Sequence, residues 1–136
     1  MPNQSAYFSL QASYVGPDGD NVVMPAKLVT VSYAAQNHGT IDIPDATAAA
    51  TVYNVPFGAI TVDATAGMIF NNTGQTLKLK VNGAAAVSQT LPSGGMYAWA
   101  NPSSAGATPV LAISLETSAI QAGAGTVTYH VFGDPV

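Results

Sequence analysis

The chain has no cysteine and no arginine, and only ten of its 136 residues are charged, three lysines against seven acids. Without cysteine there is no disulfide scaffold, no thiolate zinc site and no thiol nucleophile. With Lys27, Lys78 and Lys80 as the whole cationic supply and a net charge of −4, phosphate neutralisation has little to work with, so nucleic acid is not an expected partner. Charged residues make up 7% of the chain, against about a quarter in an ordinary soluble domain. A surface this neutral is either clad in Thr, Ser, Asn and Gln or covered by partners. A long apolar run is missing too. Residues 81–115 carry no charge, but Pro92, Gly94, Gly95, Pro102 and Pro109 interrupt them, and a bilayer would leave that broken backbone unsatisfied, so no membrane span is expected. The first five residues, Met1, Pro2, Asn3, Gln4 and Ser5, have neither a basic nor an apolar stretch of signal type. They read as an uncharged N-terminal arm on a chain that matures where it is made.

What is present is period-two alternation. Phe8, Leu10, Ala12 and Tyr14 fall on one face and Ser9, Gln11 and Ser13 on the other, the pattern of a half-buried strand. Gly16-Pro17-Asp18-Gly19-Asp20 then supplies turn chemistry and predicts a hairpin into residues 22–24. Residues 27–33 align Val29, Val31 and Tyr33, after which Gln36-Asn37-His38-Gly39 reads as a polar, exposed loop. In residues 43–55, Asp45 could cap a short helical turn through Ala50, whereas Thr51-Val52-Tyr53 favours extended chain. Residues 59–63 are expected to point Ile60 and Val62 inward and Thr61 and Asp63 outward, and residues 68–70 to continue the sheet.

The second half is more regular. Leu77, Leu79 and Val81 alternate with Lys78, Lys80 and Asn82, and Asn82-Gly83 is the dipeptide preferred by a type I′ turn, predicting a return strand over residues 85–91. A short strand over residues 96–100 sets Tyr97 and Trp99 on one face, a small-residue loop follows over residues 101–109, and two amphipathic strands close the chain, with Leu111, Ile113 and Leu115, then Val127, Tyr129 and Val131, aligned. Eight or nine short strands with frequent turns and little helix predict a single all-β domain over residues 1–136, an antiparallel β-sandwich or jelly roll. The absence of amphipathic crossover helices excludes a parallel βαβ architecture.

Residues able to do chemistry are few. Two histidines, seven carboxylates and three lysines are a thin supply for converging acid–base groups, and no serine lies in a nucleophile-elbow pattern. His130 shares a strand face with Thr126 and Thr128, which suits a hydrogen-bonded or solvent-facing ring; His38 reads as an exposed residue able to touch a partner. Asp18-Gly19-Asp20-Asn21 lacks the further ligands of a calcium loop and is explained as a turn. Asn71-Asn72-Thr73 matches a glycosylation sequon but reads as a turn in Asn-Asn-Thr-Gly. No phosphate loop, dinucleotide fingerprint or His-x-x-x-His spacing occurs. Neither metal nor cofactor is expected, and no catalytic residue is assigned. Tyr97 and Trp99 pack in a core by default, with an interface anchor and a sugar-stacking platform as alternatives.

Asn71-Asn72-Thr73-Gly74-Gln75 leading into Leu77-Lys78-Leu79-Lys80-Val81-Asn82-Gly83, then Thr90-Leu91-Pro92-Ser93-Gly94-Gly95, in a chain rich throughout in Ala, Thr, Gly and Val, resembles the small all-β virion proteins of tailed bacteriophages, in particular capsid decoration (cement) proteins. The resemblance implies a sandwich or jelly roll made in the host cytoplasm that oligomerises with copies of itself, binds the major capsid protein at the capsid surface and braces the shell, with no catalytic residue. Candidate interface positions are Met1, Pro2, Asn3, Gln4 and Ser5, with His38, Tyr97 and Trp99. Two other functions are consistent with the sequence: a tail, baseplate, fibre or receptor-binding module, and a carbohydrate-binding β-sandwich in which Tyr97 and Trp99 stack on sugar rings.

Overall fold

Alternation of side chains across the pleat carries through to the computed structural model, which describes residues 4–101 and 109–135. Ten strands form in chain order: β1 (Gln4–Val15), β2 (Asn21–Tyr33), β3 (Ala35–Ile43), β4 (Val52–Asn54), β5 (Asp63–Asn72), β6 (Leu77–Val81), β7 (Gln89–Leu91), β8 (Met96–Ala100), β9 (Ile113–Thr117) and β10 (Gly125–Asp134). No helix occurs among the described residues. The protein is all-β, and every strand pair is antiparallel.

Strands β3 to β10 build two four-stranded sheets, ordered β3-β10-β5-β8 and β4-β9-β6-β7. Their pairings are nested: β3 with β10, β4 with β9, β5 with β8, and β6 with β7 innermost. The two sheets face each other across one core, in which Ile43, Ile69, Leu77, Leu79, Ile113, Leu115, Val127 and Val131 are fully buried. Each such side chain contributes about 1.5–3 kcal/mol of burial. Strands β1 and β2 stand outside this sandwich as a separate two-stranded sheet, a long hairpin that feeds into β3 through Ala34 alone.

Several local expectations are corrected. The 36–39 segment is not a loop but part of β3, where His38 lies opposite His130 and Gly39 opposite Tyr129. Its inward positions are Asn37, which donates to the Pro56 carbonyl at 2.8 Å, and Gly39, which lies under the Tyr129 ring. At these two positions the core side of β3 is furnished by neighbours, whereas Ile41 and Ile43 further along the strand supply it themselves.

The helical alternative at 45–50 fails because the backbone pairs elsewhere. The Ala46 N–H donates to the Gln121 carbonyl and the Ala50 N–H to the Thr117 carbonyl, both alanines take positive φ (63° and 62°), and the Asp45 carboxylate accepts from the Gly123 N–H at 2.7 Å rather than capping a helix. Val62 and Asp63 are reversed relative to expectation. Val62 is exposed while Asp63 is buried, its Oδ1 accepting the Val110 N–H at 3.1 Å.

The Asn82-Gly83 turn forms, with φ of 54° and 65° and the Ala84 N–H closing on the Val81 carbonyl at 3.1 Å. The return strand, however, starts only at Gln89. Asn82 is occupied instead with the segment leading into β9: its N–H donates to the Ala112 carbonyl, its Oδ1 accepts from the Leu111 and Ala112 N–H groups, and its Nδ2 donates to the Pro109 carbonyl. Asn82→Ala is expected to lower stability by about 1–2 kcal/mol, since it removes the Oδ1 and Nδ2 bonds, keeps only the backbone one, and leaves alanine at a positive φ that asparagine tolerates better. A urea titration with an unchanged slope would measure this.

Candidate functional site

The β1–β2 hairpin is the feature that the sandwich does not account for. One of its faces is apolar along its length. Ala6, Phe8, Leu10, Ala12 and Tyr14 on β1 lie opposite Val31, Val29, Lys27, Met24 and Val22 on β2, so that Lys27 is the one charge on that face. The register shifts between Leu10 and Ala12, which leaves Pro25 and Ala26 on β2 facing Gln11. Pro25 thus sits in a bulge, the place within a ladder that tolerates a missing N–H.

The stem of the hairpin packs on the outer face of the first sheet. Phe132 of β10 receives the Phe8 ring edge-on at 5.8 Å between centroids and the Tyr33 ring at 5.0 Å. Val31 is 1% exposed beneath it. The same apolar face then continues without cover: Leu10 is 69% exposed, Tyr14 56% and Met24 54%. Ser13, Val15 and Val23 are exposed as well, so both faces of the distal half stand clear of the sandwich. A two-stranded hairpin alone in water is marginal at best, and a cluster of large exposed apolar side chains marks an interaction surface.

Between the hairpin and strands β5 and β8 runs an open groove of about 480 Å³. Phe8, Leu10 and Val29 line its hairpin side, and Met68, Met96 and Ala98 its sheet side. Lys27 stands in its wall. The groove therefore suits an apolar occupant more than a polar small molecule.

The sequence-derived candidates divide between surface and core. Gln4 and Ser5 belong to β1, pairing with Tyr33 and Ser32, and the Tyr33 hydroxyl donates to Gln4 Oε1 at 3.0 Å. They anchor the hairpin and do not form a loose arm. Met1, Pro2 and Asn3 lie outside the described residues. His38 is exposed on the outer face of the first sheet, its ring stacked on His130 at 5.7 Å and 12° between planes. The two imidazoles have no third ligand: among the described residues, no group of three or more His, Asp or Glu side chains comes together.

Tyr97 and Trp99 share a face, as their spacing predicts, and it is the inner one. Both pack against the core and tilt against each other at 5.7 Å. The Trp99 ring lies over the backbone of Gly67, its opposite residue on β5, and Nε1 donates to the Ala64 carbonyl at 2.7 Å. A ring held in this way is a poor sugar platform.

A second polar cluster, at the 71–75 turn, is closed on itself. Asn71 is fully buried; its Nδ2 donates to the Gln75 and Leu91 carbonyls and its Oδ1 accepts from the Thr73 N–H and hydroxyl. Gln121 and Gln75 extend the network to Gly123, Ser118 and Ala119. No buried side-chain polar atom among the described residues lacks a partner, so this cluster is structural. With its amide committed, Asn71 is also closed to the sequon chemistry that its sequence context suggests.

The hairpin overhang was not legible in the sequence as a site. A period-two apolar stripe has the same signature whether its own sheet covers it or nothing does. Comparison of the chain with protein-family models, with curated proteins and with solved structures finds no match to any of them.

Proposed function

We propose that the chain is a non-enzymatic structural virion protein of the capsid-decoration kind, which binds the major capsid protein and copies of itself on the capsid surface. The observation that carries the reading is the hairpin, an apolar arm held at its stem and bare over its distal half. Such an arm supplies what an assembly subunit needs, namely apolar area released from water only when a neighbour is present. The strand winding adds support. Nested antiparallel pairs divided between two sheets are the path of a jelly roll, an architecture shared by viral capsid and lectin domains, and we read the sandwich as one. The neutral surface fits as well. With ten charges in the chain, association driven by apolar area is expected to depend weakly on salt, because screening acts only on charges.

Image reconstruction of the particle or assembly from which the protein is isolated tests this reading. Hundreds of copies arrayed on a shell lattice are expected. A handful at a vertex or tail would replace decoration with an attachment role, and absence from any particle would overturn the proposal.

A further inference from the structure

From the hairpin and the groove beside it we infer that the occupant of both is a second copy of this chain: the bare distal half of one hairpin packs on the outer face of the neighbour's first sheet, at the groove between β8 and the neighbour's own hairpin. The inference rests on the assembly reading above and names the partner and the two surfaces.

Three observations converge on a second copy. The first is continuity of an interface that already exists within the chain. The stem of the hairpin, through Phe8, Val31 and Tyr33, is seated on the outer face of the first sheet at Phe132, so that face and the hairpin's apolar face are matched surfaces. Further along the same sheet face, Met96 and Ala98 remain exposed, while further along the same hairpin face Leu10, Tyr14 and Met24 are bare. The two uncovered stretches have the chemistry of the two covered ones.

The second is that a chain cannot satisfy itself. β2 passes into β3 through a single residue, which fixes where the stem leaves the sandwich, and the β1–β2 ladder, paired on both sides of its one bulge, holds the distal half to the line of that stem. A neighbour's hairpin has no such tether.

The third is area. The chain exposes 7838 Å², where a compact monomer of 13.8 kDa exposes about 6,600 Å². The excess of roughly 1,200 Å² is more than the ~800 Å² that each partner contributes to a standard protein interface. Because the contact joins one patch to a different patch, it is reciprocated across a two-fold axis, repeated around a closed ring, or, where the rotation does not close, propagated as an open filament.

The test uses the purified full-length chain in the absence of any shell, so it can fail while the virion role stands, and the reverse. Sedimentation should show an oligomer, and Leu10→Ser combined with Met24→Ser should weaken association by about 100-fold or more while leaving the circular dichroism spectrum and melting curve of the monomer in place. Ala98→Glu on the receiving face should do the same. Ile120→Ser, which removes an equally exposed side chain (69%) away from both surfaces, should change nothing. The absence of cysteine allows a direct mapping: Tyr14→Cys and Ala98→Cys chains, mixed and oxidised, should form the mixed disulfide in preference to either homodimer. A monomer at high concentration, an oligomer unaffected by the hairpin and sheet variants, or cross-linking confined to Tyr14→Cys with itself would each overturn the inference.

Discussion

Asn71→Ala is expected to lower the stability of the fold by about 3–5 kcal/mol, a large part of the 5–15 kcal/mol that holds a typical domain together. The side chain is 0% exposed and satisfies four groups at once: the Gln75 and Leu91 carbonyls at 2.8 and 2.9 Å, and the Thr73 N–H and hydroxyl at 3.0 and 2.6 Å. Alanine strands them in an interior where each unmet polar group costs about 1–3 kcal/mol. The damage should spread, because the bond to Leu91 holds β7 at the end of the second sheet while Thr73 anchors Gln121. Asn72 provides the control. It is exposed at the next position, and its replacement by alanine should stay within about 0.5 kcal/mol. Urea denaturation of the two variants measures the contrast, and a loss below about 1 kcal/mol at Asn71 would show that water replaces its bonds.

Gly67→Ala is expected to be the second most damaging of these changes, at about 2–3 kcal/mol. A β-carbon there would come within 2.4 to 2.8 Å of three atoms of the Trp99 ring, distances no real contact sustains. The ring cannot yield cheaply, since Nε1 is bonded to the Ala64 carbonyl and its neighbours belong to the core. The pairing of a glycine with an aromatic directly across the ladder recurs at Gly39 and Tyr129, a device in which the ring covers backbone that has no side chain of its own. A double-mutant cycle isolates the effect. In a Trp99→Leu background, itself destabilised, the further change Gly67→Ala should cost less than about 1 kcal/mol. Equal costs in both backgrounds would mean that the strand, and not the ring, objects to the methyl group.

The elements legible in the sequence are those whose own residues carry the signal. Asn82-Gly83 and Gly16-Pro17-Asp18-Gly19 mark turns because few other residues accept those backbone angles, and Leu77 with Leu79, or Val127 with Val131, alternate because they fill the core themselves. The first half of β3 escaped because the inward positions of residues 36–39 are Asn37 and Gly39, with the Tyr129 ring of β10 over Gly39, and only Ile41 and Ile43 beyond them are apolar. Asp63 escaped because an acid facing inward is recognisable only once the Val110 N–H it accepts is known. The spacing of Tyr97 and Trp99 gives a shared face but not which face, since that depends on β5. The candidate surface was the least legible of all: Leu10 and Tyr14 read as the buried face of a half-buried strand, and only the position of the sandwich relative to the hairpin shows that nothing lies over them.

The nested pairing also sets a timetable for the growing chain. Leu79 meets Gln89 close by in sequence, Ile69 meets Tyr97 further off, Tyr53 meets Leu115 further still, and Gly39 meets Tyr129 last. Each inner closure shortens the loop that the next must close, whereas the outermost pair cannot form until the C-terminal strand has left the ribosome. Phe132, the seat of the hairpin stem, is on that strand. The arm is therefore expected to gain its fixed direction only as the final ladder zips, so that a chain short of β10 has its apolar hairpin but nothing that aims it.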